Sequence, residues 1–338
     1  MPVNVAVIGC GNWGRNHIRI YKELESSELR VVCDAVPEMS KKAGADFQVR
    51  AITDYEEIVR DKSIDAVSIC TPASTHFEIA KKCLEGGKHV LVEKPMCLSS
   101  ADAERLNDIS KQTGLSLLVG QTFRYDPTIA KAKEEKKKGT FGDIYYLSLS
   151  RMGLKAPRSD CGVIFNYAVH DFDIMCDFLG QKYPVEMNAI TTNSLGRKFE
   201  DFALASNRFS GGVLAYTQIS WLCPSKIRDF WIVGEKKSAY VDTMKFELSI
   251  YDTGVVQKYN TFGDFQLITR EGGVYKPPIE KYEPLKMELS HFIDCQEKNR
   301  KPISNGDVGL RTVKMAEAAL LSAKLGKTLK IDSNGDAR

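Results

Sequence analysis

Two short stretches hold residue types that can do redox chemistry at a hydroxyl. "VLVEKPMC", Val90 to Cys97, is an apolar run that ends abruptly in Glu93-Lys94-Pro95. A lysine fixed at the tip of a buried strand can hydrogen-bond an alcohol oxygen, favour its alkoxide and polarise the product carbonyl. Glu93 is placed to orient that lysine, and Pro95 stiffens the turn by fixing φ. As an isolated tripeptide this would read as a surface turn, so the neighbouring motifs carry the assignment. "VAVIGCGNWGRNH" has Gly9, Gly11 and Gly14 in G-x-G-x-x-G spacing, directly after a strand pattern and opening a helix. Such glycines permit a tight turn, close approach of a pyrophosphate and close helix packing, while the helix N-terminus attracts the phosphates.

Asp34 ends "RVVCD", twenty residues after Gly14. A carboxylate there binds both hydroxyls of an adenosine ribose and repels a 2′-phosphate. No arginine follows it immediately in "DAVPEMS", which favours NAD over NADP. Thr71-Pro72 closes another strand and is expected along the cofactor, with His76 in reach of the same cleft. Asn12 and Trp13 in the turn, Gln121 after a later strand, and Glu93 and Lys94 complete the expected cofactor contacts.

These residues need elements to hold them. Over the first 120 or so residues, apolar runs ("VNVAVIG", "LRVVCDA", "IDAVSICTP", "KHVLVEKP", "LSLLVGQT") alternate with helical segments such as Arg15 to Leu24, "HFEIAKKCLEGG" and "SADAERLNDISKQTG". Strands apolar throughout, alternating with helices, indicate a parallel sheet covered on both faces, a doubly wound Rossmann arrangement. After "FRYDP" the pattern changes to strands joined by Gly-containing turns, at Ser210-Gly211-Gly212, Gly234 to Lys237 and Thr253-Gly254. This predicts an α+β domain with an open, mainly antiparallel sheet. Helices near Val169 to Leu179, Leu285 to Glu297 and Val308 to Leu325 are expected to cover one face. The expected boundaries are 1–124 for the NAD-binding domain and 125–338 for a domain that binds substrate and mediates oligomerisation. "DSNGDAR" is expected to be a frayed tail.

Forty-seven Lys and Arg against 44 Asp and Glu leave a net charge of +3, too balanced a field to recruit nucleic acid or anionic lipid. "KAKEEKKKG" mixes both signs and reads as a solvated helix end. The nine cysteines contain no C-x-x-C pair, so neither a disulfide framework nor a metal site is expected. The chain enters "VNVAVIG" at once, so no signal peptide is expected, and no apolar run approaches the roughly 20 residues of a membrane helix. The expected location is cytoplasmic, with no nucleic-acid or membrane partner.

"VAVIGCGNWGRNH", "CTPASTHFEIAKKCLEGGKHVLVEKP", "VGQTFRYDP" and "NYAVHDFDIMCDFLG" together resemble the Gfo/Idh/MocA family, in order from residue 3 to about residue 325. The resemblance implies a Rossmann domain, a second domain whose open sheet forms the dimer face, and a homodimer or homotetramer. It also implies a catalytic lysine in the "EKP" motif, here Lys94, with a cis Lys94-Pro95 bond. A family D-x-x-x-H stretch corresponds to "NYAVH", which makes His170 the general base; an imidazole with pKa near 6.5 suits that role at neutral pH. Without the resemblance, His170 reads equally as a helix N-terminal residue paired with Asp173. Where many members have Asp, Asn166 stands; it can hydrogen-bond a sugar hydroxyl but cannot accept a proton.

"ISWLCPSKIRDFWIVGEKKSAYVD" resembles a segment of the family's nucleotide-sugar 3-dehydrogenases. That implies oxidation of the C3 hydroxyl of UDP-N-acetylglucosamine, with an aminotransferase acting downstream on the ketone. Its uronic acid is an alternative substrate, as is an inositol or aldose, and a non-catalytic NAD-binding regulator is a distant one. Lys226 and Arg228 lie two apart, on one face if that segment is a strand, and suit a diphosphate. Arg124, Arg151 and Arg158 are further cationic candidates, and Trp221, Asn166, Lys94 and His170 complete the expected substrate contacts.

Overall fold

A computed structural model describes residues 2–252, 254–259, 265–270 and 272–338. Of the turn expected at Thr253-Gly254, Thr253 lies outside the described residues. The chain divides into two compact units. The first comprises Met1–Tyr125, Arg158–Cys161 and Glu283–Glu317; the second comprises Asp126–Pro157, Gly162–Tyr282 and Ala318–Arg338. The first switch falls one residue beyond the expected boundary. Residues 158–161 and 283–317, expected in the second domain, group with the first instead.

The first unit alternates strand and helix: β1 (Val3–Ile8), α1 (Asn12–Glu23), β2 (Ser27–Cys33), α2 (Pro37–Phe47), β3 (Arg50–Ile52), α3 (Glu56–Arg60), β4 (Ala66–Ile69), α4 (His76–Glu85), β5 (His89–Val92), α5 (Ser100–Thr113) and β6 (Leu117–Val119). The strands pair in parallel in the order β3-β2-β1-β4-β5-β6. Val5, Val7, Val90, Val92, Ala66 and Ile69 are fully buried, the behaviour of strands covered on both faces. Local chemistry sets the helix ends. The Ser99 hydroxyl accepts from Asp102 N to cap α5, which stops at Gly114 with φ +70°.

The second unit holds α6 (Pro127–Lys137), β7 (Ile144–Met152), a π-helical turn over Ile164–Ala168, α7 (Val169–Leu179), β8 (Glu186–Thr192), β9 (Phe202–Arg208), β10 (Leu214–Ser220), β11 (Ile227–Gly234), β12 (Ser238–Asp242), β13 (Glu247–Tyr251), β14 (Gly254–Tyr259), β15 (Phe265–Arg270) and β16 (Val274–Tyr275). Helices α8 (Pro284–Glu297) and α9 (Gly306–Leu325) and strand β17 (Leu329–Lys330) end the chain. Nine strands form one sheet, β16-β13-β12-β11-β7-β10-β9-β8-β17, antiparallel except at β7–β10, and β14–β15 form a separate ribbon.

The strands on either side of the Thr253-Gly254 position, β13 and β14, fall in different sheets. Two expectations give way here, for α8 and for the tail. Helix α8 does not cover the open sheet: Leu285, Leu289, Phe292 and Ile293 enter the first unit's core beside Ile18 and Tyr21. The tail is folded. Lys330 and Arg338 exchange backbone hydrogen bonds, and Gly335, at φ +84°, lies against the Tyr183 ring.

Candidate active site

The glycine turn is shaped by what it must clear. Gly9 has φ +101°, and a Cβ there would lie 2.6 Å from the Cys70 carbonyl carbon. On Gly14 it would overlap the Gly9 carbonyl oxygen. Gly11 is different: a Cβ there would meet nothing within 4 Å. No side chain caps α1 at Gly11, which leaves its first-turn amides for an anion. Asp34 pins this turn. Its Oδ2 accepts from Cys10 N at 2.7 Å and its Oδ1 from Val36 N at 2.9 Å, which still leaves each oxygen a lone pair for a hydroxyl. Open space over Gly11, uncapped amides and an acid at the β2 tip fit a dinucleotide, whose pyrophosphate Gly9 to Gly14 would hold and whose ribose Asp34 would hold. Asn12 is exposed at the same turn.

Strand β5 delivers Glu93 to a buried position and Lys94 to a half-buried one, and the Lys94-Pro95 bond is cis. The Trp13 indole donates to Glu93 Oε1 at 2.6 Å, His17 Nε2 lies 3.3 Å from the same oxygen, and the Lys94 amide donates to Oε2 at 3.2 Å. Burial raises the Glu93 carboxyl, but His17, Lys94 and Trp13 outweigh it and hold the group below the ordinary range. Glu93 and the Trp13 N–H, both expected at the cofactor, are therefore engaged with each other. Gly120, one residue past β6, permits this packing: a Cβ there would lie 2.7 Å from Glu93 Oε1. Gln121 beside it is buried.

His76 corrects another expectation. It is buried, with Nδ1 2.8 Å from the Pro95 carbonyl and Nε2 3.0 Å from that of Thr71. Burial lowers its pKa against the pull of these carbonyls. It lies between the Thr71-Pro72 loop and the Lys94-Pro95 loop as a brace, and as a neutral ring it donates its one N–H to one of the two carbonyls. Thr71 keeps a half-exposed side chain, whose Oγ1 accepts from the Thr75 hydroxyl at 2.8 Å.

In the second unit the π-helical turn carries buried Asn166 and leads into α7, whose second residue is His170, 9% exposed. Single π turns recur at functional sites. Arg151, buried on β7, gives Asp171 Oδ1 two hydrogen bonds, at 2.8 Å from Nε and 2.7 Å from Nη2, while the Thr217 hydroxyl donates to Oδ2 at 2.6 Å. Arg228 on β11 lies opposite Arg151 in the sheet register. Burial and then the Arg151 charge lower the Arg228 pKa, and the Arg228 charge in turn lowers that of Lys226. Lys226 precedes β11 and is exposed, so the pair does not share one strand face as expected. Trp221 is fully buried, edge-on to Tyr167 at 6.5 Å, and its indole N–H has no hydrogen-bond partner.

Two arginines belong to the first unit instead. Arg124 donates to the Ile303 carbonyl at 2.9 Å, between α8 and α9. Arg158 forms a two-pronged pair with Asp160, both bonds 2.7 Å, and Asp160 Oδ2 accepts from Ala73 N at 2.7 Å. Both are braces of that unit, so neither is placed among the second unit's cations.

Residues 3–121 match a family model described as an oxidoreductase family NAD-binding Rossmann fold, and residues 129–240 match the GFO/IDH/MocA C-terminal domain. The chain belongs to the Gfo/Idh/MocA family. It is an NAD-dependent oxidoreductase, an enzyme rather than a non-catalytic NAD-binding regulator. It is 28% identical over 315 residues to UDP-N-acetylglucosamine 3-dehydrogenase of Acidithiobacillus ferrooxidans, covering 93% of this chain and 95% of that one. The solved structure of that name from the same organism superposes with TM-score 0.81 over 96% of this chain and 99% of the other, at 26% identity. The chain is also 26% identical to scyllo-inositol 2-dehydrogenase (NAD(+)) of Bacillus subtilis, over 98% of this chain and 96% of the relative. Among the described residues no helix is long and apolar enough to cross a membrane, and no group of His, Cys, Asp and Glu is placed to hold a metal ion.

Sequence reasoning missed the groups behind Glu93. His17 lies one helical turn after Trp13 in "NWGRNH", a spacing that could have linked them. Glu288, far along the chain, gave no signal.

Proposed function

We propose that the enzyme oxidises the C3 hydroxyl of UDP-N-acetylglucosamine to the 3-keto sugar. The observation that carries this reading is the cation group of the second unit. Arg151, Arg228 and Lys226 crowd one another, and neither Lys226 nor Arg228 has a carboxylate within ion-pair distance among the described residues. Such unneutralised, partly desolvated cations suit the diphosphate of a nucleotide sugar. The 28% identity to a UDP-N-acetylglucosamine 3-dehydrogenase supports the same substrate. NAD, when bound, supplies the hydride acceptor. His170 takes the hydroxyl proton, Lys94 stabilises the oxygen as it becomes a carbonyl, and Asn166 holds the sugar. The ketone product suits a downstream aminotransferase. The 26% identity to a scyllo-inositol dehydrogenase favours a second reading, the same chemistry on a free polyol.

We also propose that two copies pair through the outward face of the nine-stranded sheet. There Trp231 lies 5.0 Å from Tyr240 and 5.4 Å from Tyr251, yet stays 38% exposed. Trp231→Glu should halve the mass read by light scattering, and an unchanged mass would place the interface elsewhere.

The deciding experiment follows NADH fluorescence with NAD, a ketone trap and a panel of UDP-N-acetylglucosamine, its uronic acid, UDP-glucose, glucose and myo-inositol. Signal confined to an N-acetylated UDP-sugar and abolished by Lys94→Ala is expected. Signal with myo-inositol alone would discard the nucleotide grip.

A further inference from the structure

Besides Glu93, the first unit buries a second carboxyl group. Glu288, on α8, is fully buried. Its Oε2 accepts from the Thr122 hydroxyl at 2.9 Å, and its Oε1 is buried without a hydrogen-bond partner. Glu93 is buried as well, and its charge acts on Glu288. The groups around the two come from every neighbouring element. Trp13, His17 and Tyr21 are on α1; Ser68 is on β4, with Cys70 just past its end. Lys94 follows β5, and Thr122 and Tyr125 follow β6. His17 and then Lys94 act electrostatically on Glu93. The donors also favour Glu93: an indole N–H and a backbone N–H serve it, with His17 Nε2 3.3 Å away, against a single hydroxyl for Glu288. Behind His17 the chain of polar groups continues inward, Nδ1 to Ser68 Oγ at 2.9 Å and Ser68 Oγ to the Tyr21 hydroxyl at 3.3 Å. Tyr21 is itself buried, so this chain ends inside the protein and offers no exit to solvent.

Two buried carboxyl groups in one site cannot both ionise cheaply, and the one with fewer donors keeps the proton. We propose that Glu93 and Glu288 together hold one proton at neutral pH, with Glu93 the carboxylate and Glu288 a neutral carboxylic acid. The pair confines a single negative charge to the residue adjoining the lysine. Burial and the Glu93 charge both push the Glu288 carboxyl well above its ordinary range, in accord with this division. The assignment concerns the protein alone and stands whichever alcohol is the substrate. Its role in turnover rests on the reading of Lys94 as the catalytic lysine.

The test is infrared difference spectroscopy of the intact protein, wild type minus E288Q, at pH 7.5. A carbonyl stretch of a protonated carboxylic acid is expected in the wild type and is lost in E288Q. Its absence from the wild type would overturn the proposal. Thermal melts give a second readout. An acid with a raised folded-state pKa contributes stability at low pH and loses that contribution as pH rises through the folded value. The Tm of E288Q relative to wild type should therefore climb between about pH 5 and pH 9, and a flat or falling difference would refute the neutral assignment. In turnover, the alkaline limb of the kcat profile should move to higher pH in E288Q. E93Q should lower kcat at least tenfold while moving the NAD dissociation constant less than threefold. A variant that lowered only Tm and left both profiles in place would reduce Glu288 to a structural residue. Loss of the infrared band cannot be mistaken for failure of the substrate reading, because no substrate is present.

Discussion

The indole N–H of Trp13 donates to Oε1 of Glu93 at 2.6 Å, which fastens the first turn of the phosphate-binding helix to the residue preceding Lys94. Trp13→Phe keeps the ring and deletes the donor. A hydrogen bond to a charged acceptor is worth about 1.5–3 kcal/mol, and with Trp13 44% exposed the lower end of that range applies. Calorimetric unfolding should record a loss of that size, and kcat should fall further than NAD affinity. Equal kcat in the two proteins would show that Lys94 does not depend on this tie.

Gly120 is small because Glu93 occupies the space beside it. Gly120→Ala forces the carboxylate away from Trp13 or the backbone away from Glu93. Turnover should drop by about an order of magnitude, a change near 1.4 kcal/mol in barrier, with a smaller change in NAD binding measured by calorimetry. A variant as active as wild type would mean that the carboxylate moves freely.

Asp34 holds the turn and is proposed to hold the ribose, so Asp34→Ala should both weaken NAD and relax the exclusion of NADP. Titration with each dinucleotide checks this. Unchanged preference would remove the carboxylate from cofactor selection and leave only its bonds to Cys10 and Val36.

Asp160 gives an acid-side prediction. Burial alone would raise its carboxyl, but the paired Arg158 and the Ala73 amide hold it down to about 2. A depressed folded-state pKa contributes stability above the unfolded value, about 3.9 for Asp, and loses it as pH falls through the folded one. The Tm gap between wild type and Asp160→Asn should be open at pH 5 and close between about pH 4 and pH 2. A gap constant over that range would show that the pair contributes no pH-linked stability.

Much of the first unit was legible because its signals are local. Apolar runs such as "VNVAVI" read as strands buried on both faces, Gly114 ends its helix as capping chemistry dictates, and the Gly9-Gly11-Gly14 spacing located the turn. Individual partners were less legible, because hydrogen bonds across 80 or 166 residues, Trp13 to Glu93 and Thr122 to Glu288, leave no periodic mark. His76 illustrates the difference. Its closeness in sequence to Thr71 was plain, but only the fold brings Pro95 to its other nitrogen. The amphipathic pattern of α8 showed a helix without showing which core would receive it. The folded tail depends likewise on Tyr183, 152 positions before Gly335.

The return of α8 into the first unit has a consequence for biosynthesis. The six strands of the nucleotide-binding unit leave the ribosome before α8, yet its core stays open until Leu285, Leu289, Phe292 and Ile293 emerge. At roughly 5–20 residues per second, a nascent chain that has completed β6 waits about 10–30 s for the helix that seals it. Release of the growing chain anywhere in that interval yields all six parallel strands and no finished core, a fragment that a cell must shield or degrade.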